Sequence, residues 1–106
     1  MLNDFIIVET TVQDLNEANR IANILLDKKI AGCIHFQKIT SNYFWQEKIH
    51  HNREILLSIK SQEKFFLEIC QEIKLNHSYE IPQILSIKIQ NIDESYASWL
   101  QSSLKK

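Results

Sequence analysis

An α+β sandwich is what the sequence predicts, with a four-stranded sheet covered on one face by two helices. Three observations predict it. The apolar period switches between two and about 3.6 residues in the order strand, helix, strand, strand, helix, strand, then a short helix. Two long β-prone runs between Ala31 and Lys60 can pair locally around Gln46, Glu47 and Lys48, which makes a long hairpin. At 106 residues, 44% of them hydrophobic, with one Gly and one Pro, residues 1–106 suit one compact domain and are too few for two. Two right-handed βαβ units joined through that hairpin give a ferredoxin-like split βαβ sandwich with a short C-terminal helix.

Phe5 to Thr11 reads as the first strand. Its near-continuous apolar start, Phe5, Ile6, Ile7 and Val8, suits a central strand covered on both faces. From Asp14 the spacing of Leu15, Ala18, Ile21, Ala22, Leu25 and Leu26 makes one helical stripe. Asp14 is placed to cap the first turn and Glu17 to complete a capping box, while Lys28 and Lys29 put positive charge near the negative end of the helix dipole. Gly32, the sole glycine, marks a tight bend or a close approach of backbone.

The second strand runs from Cys33 to Trp45, with a bulge expected near Gln37 and Lys38. Ile39, Ser41, Tyr43 and Trp45 share one face, and Thr40, Asn42, Phe44 and Gln46 the other. Aromatic residues on both faces call for cover from beyond the hairpin's own domain. The returning strand is expected to break at His50, His51 and Asn52 before Glu54 to Lys60, where Ile55, Leu57 and Ile59 face one way. Ser61 is placed as the N-cap of a second helix with the stripe Phe65, Phe66, Ile69, Cys70 and Ile73. That helix should end near Asn76, ahead of Ile81 and Pro82. Ile84 to Gln90 supplies the fourth strand, and Asp93 caps a short helix with Tyr96, Ala97, Trp99 and Leu100 on its apolar side. The first strand's second face needs burying, and the economical cover is copies of the same chain.

A formal net charge of -1 and the lack of an arginine-rich block remove the electrostatic footprint of a nucleic-acid partner. Tyr43, Phe44 and Trp45 have only Lys38 and Lys48 as cationic flanks, so burial at a subunit interface is favoured over stacking on RNA bases. Cys33 and Cys70 read as free thiols in apolar contexts. The start MLNDFIIVETT has no basic region or sustained apolar core, and no run is long enough to cross a bilayer, so the expected setting is the cytoplasm with no membrane partner. There is no Walker motif, no HExxH, no nucleophile elbow and no CxxC. An acylphosphatase would carry an arginine in a glycine-rich loop after the first strand, whereas TVQDLNEANR has no glycine and places Arg20 in a helix. A nonenzymatic protein is the expectation.

Among residues that carry chemistry, His77 stands first, because it closes the second helix near Tyr79 and Glu80, where imidazole, phenol and carboxylate can converge on one pocket. The bland reading is a helix-capping histidine beside an interface tyrosine. Glu9 lies with Thr10 and Thr11 at the C-terminal end of the first strand, a usual place for ligands, or simply a polar strand end. Glu9, His77 and Cys33 would make a mixed ligand set if they met across a cleft; otherwise Cys33 is a core thiol. His50 and His51 point to opposite faces when extended and so cannot chelate one ion, and His35 reads as an interior or interface histidine. Glu54 and Lys60 are candidates for contacts with a neighbouring subunit, or an ordinary solvated pair.

Several short patterns recur in order: AGCI at Ala31 to Ile34, S-x-Y-x-W at Ser41, Tyr43 and Trp45 followed by Lys48 and Ile49, Glu54 with Lys60, H-x-Y-E-x-P at His77, Tyr79, Glu80 and Pro82, and Tyr96 spaced with Trp99. With these the chain resembles the CutA family of divalent-cation tolerance proteins over nearly its whole length. The resemblance implies a compact homotrimer, with sheets meeting edge to edge and the hairpins, carrying Tyr43, Phe44 and Trp45, embracing neighbours. It also implies a role in copper or wider divalent-metal tolerance. The family pattern for copper has a cysteine at the end of the first strand and a histidine pair at the end of the second helix. Here Glu9 holds the first position, and Asn76 precedes a single His77. The soft thiolate that suits Cu(I) is missing, leaving carboxylate and imidazole for a weak Cu(II) or Zn(II) site. Two further departures are Glu47 at a usual hairpin glycine, expected to alter the turn, and Ser78 at a usual proline, expected to loosen the segment that presents Tyr79.

Three functional classes follow. The first is a nonenzymatic metal-tolerance or metal-binding homotrimer. The second is a signalling trimer that binds a small ligand between subunits, favoured if Lys60, Arg53 or Lys88 converge on a cleft. The third is a structural adaptor for a protein partner, favoured by an exposed apolar patch outside the trimer contacts.

Overall fold

The computed structural model describes residues 4–106. In chain order the elements are β1 (Phe5–Val12), α1 (Leu15–Asp27), β2 (Cys33–Trp45), β3 (Lys48–Gln62), α2 (Phe66–Asn76), β4 (Leu85–Lys88) and α3 (Glu94–Ser102), with a single 3-10 turn at Glu63–Phe65 leading into α2. The strands form one sheet in the order β2-β3-β1-β4, and each neighbouring pair is antiparallel. Strands β1 and β2 therefore run parallel with β3 between them, and β3 and β4 run parallel with β1 between them. This is the split βαβ arrangement of a ferredoxin-like fold.

Helix α1 begins where Asp14 accepts the Glu17 N–H at 2.9 Å, and the Glu17 carboxylate returns to the Gln13 N–H at 3.1 Å. The second bond reaches one residue further back than a standard capping box. At the other end Lys28 is the C-cap and pairs with Glu72 of α2 at 3.2 Å, while Lys29 takes a left-handed φ of 56°, where glycine is the usual choice.

One face of the sheet holds the main core. Ile6, Val8 and Val12 of β1 and Ile55, Leu57 and Ile59 of β3 form a single buried cluster with the apolar stripes of α1 and α2. Each large aliphatic side chain fully buried there contributes about 1.5–3 kcal/mol relative to exposure. The opposite face is covered at one end, where α3 brings Ala97 and Leu100 against Phe5, and at the other, where Tyr79 reaches Glu54. Gly32 permits that docking: a Cβ added to it would lie 2.5 Å from Leu100 Cδ1. Its φ is not left-handed, so the glycine serves a close approach and not a tight bend. Between α3 and the Tyr79 segment the face is open. Ile7 and Glu9 are half-buried, and Leu85 and Ile87 of β4 are 40% and 48% exposed.

The hairpin differs from its sequence reading. Strands β2 and β3 pair without interruption from Cys33 opposite Lys60 to Trp45 opposite Lys48. There is no bulge at Gln37 and Lys38, and His50, His51 and Asn52 continue the strand, because cross-strand partners outweigh the weak β propensity of polar residues. His50 stacks on Tyr43 with ring centroids 5.4 Å apart, and His51 Nδ1 lies 2.6 Å from Asn42 Oδ1 on the other face. Gln46 and Glu47 both take left-handed φ, 50° and 66°, so the two-residue turn has the type I′ character that glycine favours, without a glycine. Ser61 is a strand residue that donates to the Ile30 carbonyl at 2.6 Å, not an N-cap; the chain enters α2 through the 3-10 turn instead. The fourth strand is shorter than Ile84 to Gln90: its ladder with β1 runs from Leu85 to Lys88, with one further bond from the Ile89 N–H to the Phe5 carbonyl at 3.0 Å.

Candidate functional site

The site is built where α2 ends beside the C-terminal end of β1. His77, the C-cap of α2, leaves the helix with extended backbone and turns its ring inward. Its side chain is fully buried, and its two nitrogens meet two backbone groups: Nε2 lies 2.8 Å from the Thr11 carbonyl, and Nδ1 lies 3.0 Å from the Tyr79 N–H. A carbonyl only accepts and a backbone N–H only donates, so the ring is the neutral tautomer with its proton on Nε2. Neither nitrogen keeps a lone pair for a metal. His77 works as a clamp between β1 and the segment that carries Tyr79.

A second clamp lies beside it. The Glu17 side chain, 2% exposed, accepts the Ser78 N–H at 2.6 Å and the Ser78 hydroxyl at 3.1 Å, while Arg20 donates to the Asn76 carbonyl at 2.7 Å. Serine at position 78 therefore tightens the segment, contrary to the loosening expected of it, because it supplies an N–H that proline lacks. Glu17 was legible only as a capping residue. The signal for more was its place four residues before Ile21, on the buried stripe, where a carboxylate must find donors.

Held in this way, the Tyr79 hydroxyl donates to Glu54 Oε2 at 2.5 Å, and its ring lies 4.8 Å from that of His77. Burial, and after it the hydrogen bond to Glu54, push the phenol above its ordinary range, so it remains a donor. Glu54 is only 6% exposed, and among the described residues no Lys, Arg or His pairs with it. That bond occupies Oε2, and Oε1 has no donor among the described residues. The pair lies in a cleft of about 570 Å³ between the hairpin arm and the loop before β4, walled by Tyr43, Trp45 and Tyr79 and reached also by Glu80 and Gln83. Asn52 donates to the Tyr43 hydroxyl and holds that wall.

The remaining candidates are dispersed. Glu9 projects onto the open sheet face, in register with Ser58 and Leu85, and its carboxylate has no partner among the described residues. Cys33 is on the same face, its sulfur 3.6 Å from His35 Nε2. Among the described residues no three His, Cys, Asp or Glu side chains gather closely enough to hold an ion, so Glu9, His77 and Cys33 do not meet in one chain. Phe44 is exposed on the hairpin arm. Lys60 does not pair with Glu54; it donates to the Tyr96 hydroxyl at 3.3 Å with its ammonium 5.3 Å above that ring. Neither Lys60 nor Lys88 lines the cleft, while Arg53 joins Lys38 along an adjoining groove of about 500 Å³ that Glu54 also borders.

A family model described as CutA1 divalent ion tolerance protein matches residues 6–103. The divalent-cation tolerance protein CutA of Archaeoglobus fulgidus is 33% identical over 104 residues, covering 98% of this chain and 100% of that protein. Its counterpart from Pyrococcus horikoshii is 31% identical over 101 residues, covering 95% and 99%. The solved structure of the Archaeoglobus fulgidus protein, described as periplasmic, matches with a TM-score of 0.93 at 32% identity over 95% of this chain and 99% of that chain. The rice CutA1 structure matches with a TM-score of 0.92 at 29% identity over 96% and 94%. With the model spanning residues 6–103 and relatives alike along their full lengths, the chain belongs to the CutA1 divalent ion tolerance protein family.

Proposed function

We propose that the chain acts as a homotrimer in divalent-cation tolerance, contacting copper or zinc weakly and catalysing no reaction. The observation that carries the proposal is the open face of the sheet, where Ile7, Leu85 and Ile87 lie beside Glu9 with no element of the same chain over them. Association of copies through this face would bury apolar surface that a lone subunit leaves wet. It would also bring together Glu9, Cys33 and His35 of different copies, giving carboxylate, imidazole and thiol ligands that one chain does not assemble. In this reading His77 supports Tyr79 and is not itself a ligand. Free Cys33 and Cys70 fit a reducing, cytoplasmic setting.

Light scattering tests the assembly: three times the 12.5 kDa chain mass is expected, and a monomer at every concentration overturns it. Calorimetric titration of metal-free protein with Cu(II), Zn(II) and, under reducing conditions, Cu(I) tests the metal. Weak saturable binding of Cu(II) or Zn(II), reduced by Glu9→Gln and unchanged by His77→Ala, is expected. Absence of saturable binding overturns that half. A second reading, a trimer that binds a small ligand, is favoured by the cleft at Glu54 and Tyr79.

A further inference from the structure

The cleft at Glu54 combines features that single out a ligand charge. Its one deeply buried ionisable group is a carboxylate, and no lysine or arginine lines the walls. The Tyr79 hydroxyl satisfies one oxygen only. The other oxygen, Oε1, has no donor among the described residues and is not sealed off, so it is free to accept from a cation that enters the cleft. A divalent metal is a poor match, because three of the wall residues are aromatic rings and no group of three His, Cys, Asp or Glu side chains forms among the described residues. Ring faces beside a carboxylate instead suit a cation spread over an organic frame, which the rings attract through their quadrupoles while the carboxylate accepts its N–H groups.

We propose that this cleft binds a small organic cation, an amine or a guanidinium compound, with Glu54 as its counter-ion, Tyr43, Trp45 and Tyr79 as its walls, and Glu80 at its mouth. The proposal rests on the reading of the cleft as a ligand site. Tyr79 has a defined part in it: its hydroxyl, kept protonated, occupies Oε2 and fixes the carboxylate so that Oε1 is presented to the ligand. Glu17, Ser78 and His77 are positioning residues that act through Tyr79.

The test uses agmatine, which carries both an amine and a guanidinium, with uncharged 1-butanol as control. Trp99→Phe, at an exposed position of α3, leaves Trp45 as the sole tryptophan, so its fluorescence reports the cleft. Saturable quenching by agmatine and none by butanol is expected, weakened about tenfold or more by Glu54→Gln. Trp45→Leu, followed by calorimetry, keeps the test decisive if Glu54→Gln does not fold; it is expected to weaken binding as well. Absence of a saturable response in the folded parent, or equal affinity after either substitution, overturns the proposal. Light scattering on the same samples separates the readings: a trimer that ignores agmatine sinks only the organic cation, and a monomer that binds it sinks only the trimer.

Discussion

Tyr79 is held at both ends. Its backbone N–H is fixed on His77, the neighbouring Ser78 is fixed on Glu17, and its hydroxyl meets Glu54. Removing the hydroxyl leaves a buried carboxylate without its donor, which costs more than the bond alone returns. Tyr79→Phe is therefore expected to lower stability by about 1.5–3 kcal/mol, measured as a shift of the urea midpoint. The same bond sets an alkaline limit. Because the phenol is raised in the fold above its unfolded value near about 10, its contribution is complete below that pH and is lost as the pH climbs toward the folded value. Tyr79→Phe should flatten that alkaline decline, and an unchanged decline would show that another group causes it. Ser78→Pro is expected to destabilise as well, since the N–H to Glu17 disappears; a more stable variant would remove the clamp from the account. Tyr79, His77 and Glu80 were legible as neighbours because they are close in sequence. Their link to Glu54 was not, since it depends on strand β3 returning beneath the loop. Nor could the sequence reveal that both His77 nitrogens are spent on backbone, because a histidine's partners are fixed by tertiary contacts.

At the level of elements, the helices were legible and the hairpin was less so. The Asp14 and Asp93 caps and the end of α2 at Asn76 depend on local spacing and match the structure. The stripes hold at their centres, Ala18, Ile21, Ala22 and Leu25 in α1 and Ile69 and Ile73 in α2, while Leu15 and Leu26 lie exposed and Phe65 belongs to the 3-10 turn. The bulge at Gln37, the break at His50 and the Ser61 cap do not match the structure. These features concern where a strand stops, which is decided by the partner strand across the sheet and not by the residue itself. The turn at the tip carries a test of this balance. Gln46 and Glu47 occupy left-handed backbone, which costs an ordinary residue about 1–2 kcal/mol. Gln46→Asn with Glu47→Gly should raise the melting temperature and leave the register unchanged, as seen by the cross-strand amide pattern in NMR. A fall in melting temperature would mean that the present turn residues make contacts stronger than the strain. Gly32→Ala is expected to act in the opposite direction, losing about 1–3 kcal/mol as the new methyl forces Leu100 and α3 outward.

Seen whole, the subunit is extended by its arm: its principal extents are 48 × 26 × 21 Å and its radius of gyration is 14.4 Å, against about 13 Å for a compact chain of this length. The tip of the arm bears Phe44 and Ile49, 70% and 66% exposed, with no body of its own beneath them. Strand β2 leaves one long side unpaired at the sheet's edge, a template for another copy. The open face, the bare arm and the free edge are separate features, and a single event, assembly with copies, would cover all three. Ile87→Lys isolates the contribution of the face. Ile87 is already half-exposed in the subunit, so a lysine there leaves the main core intact and the fold, followed by circular dichroism, should be retained. In the proposed trimer the same lysine would be buried opposite a copy of itself or other apolar groups, a position whose desolvation cost shared contacts elsewhere do not offset. Sedimentation should then show trimer for the parent and monomer for Ile87→Lys at equal concentration. Identical trimer masses would mean that the open face is not where copies meet, and would return the arm and the β2 edge as the surfaces to substitute next.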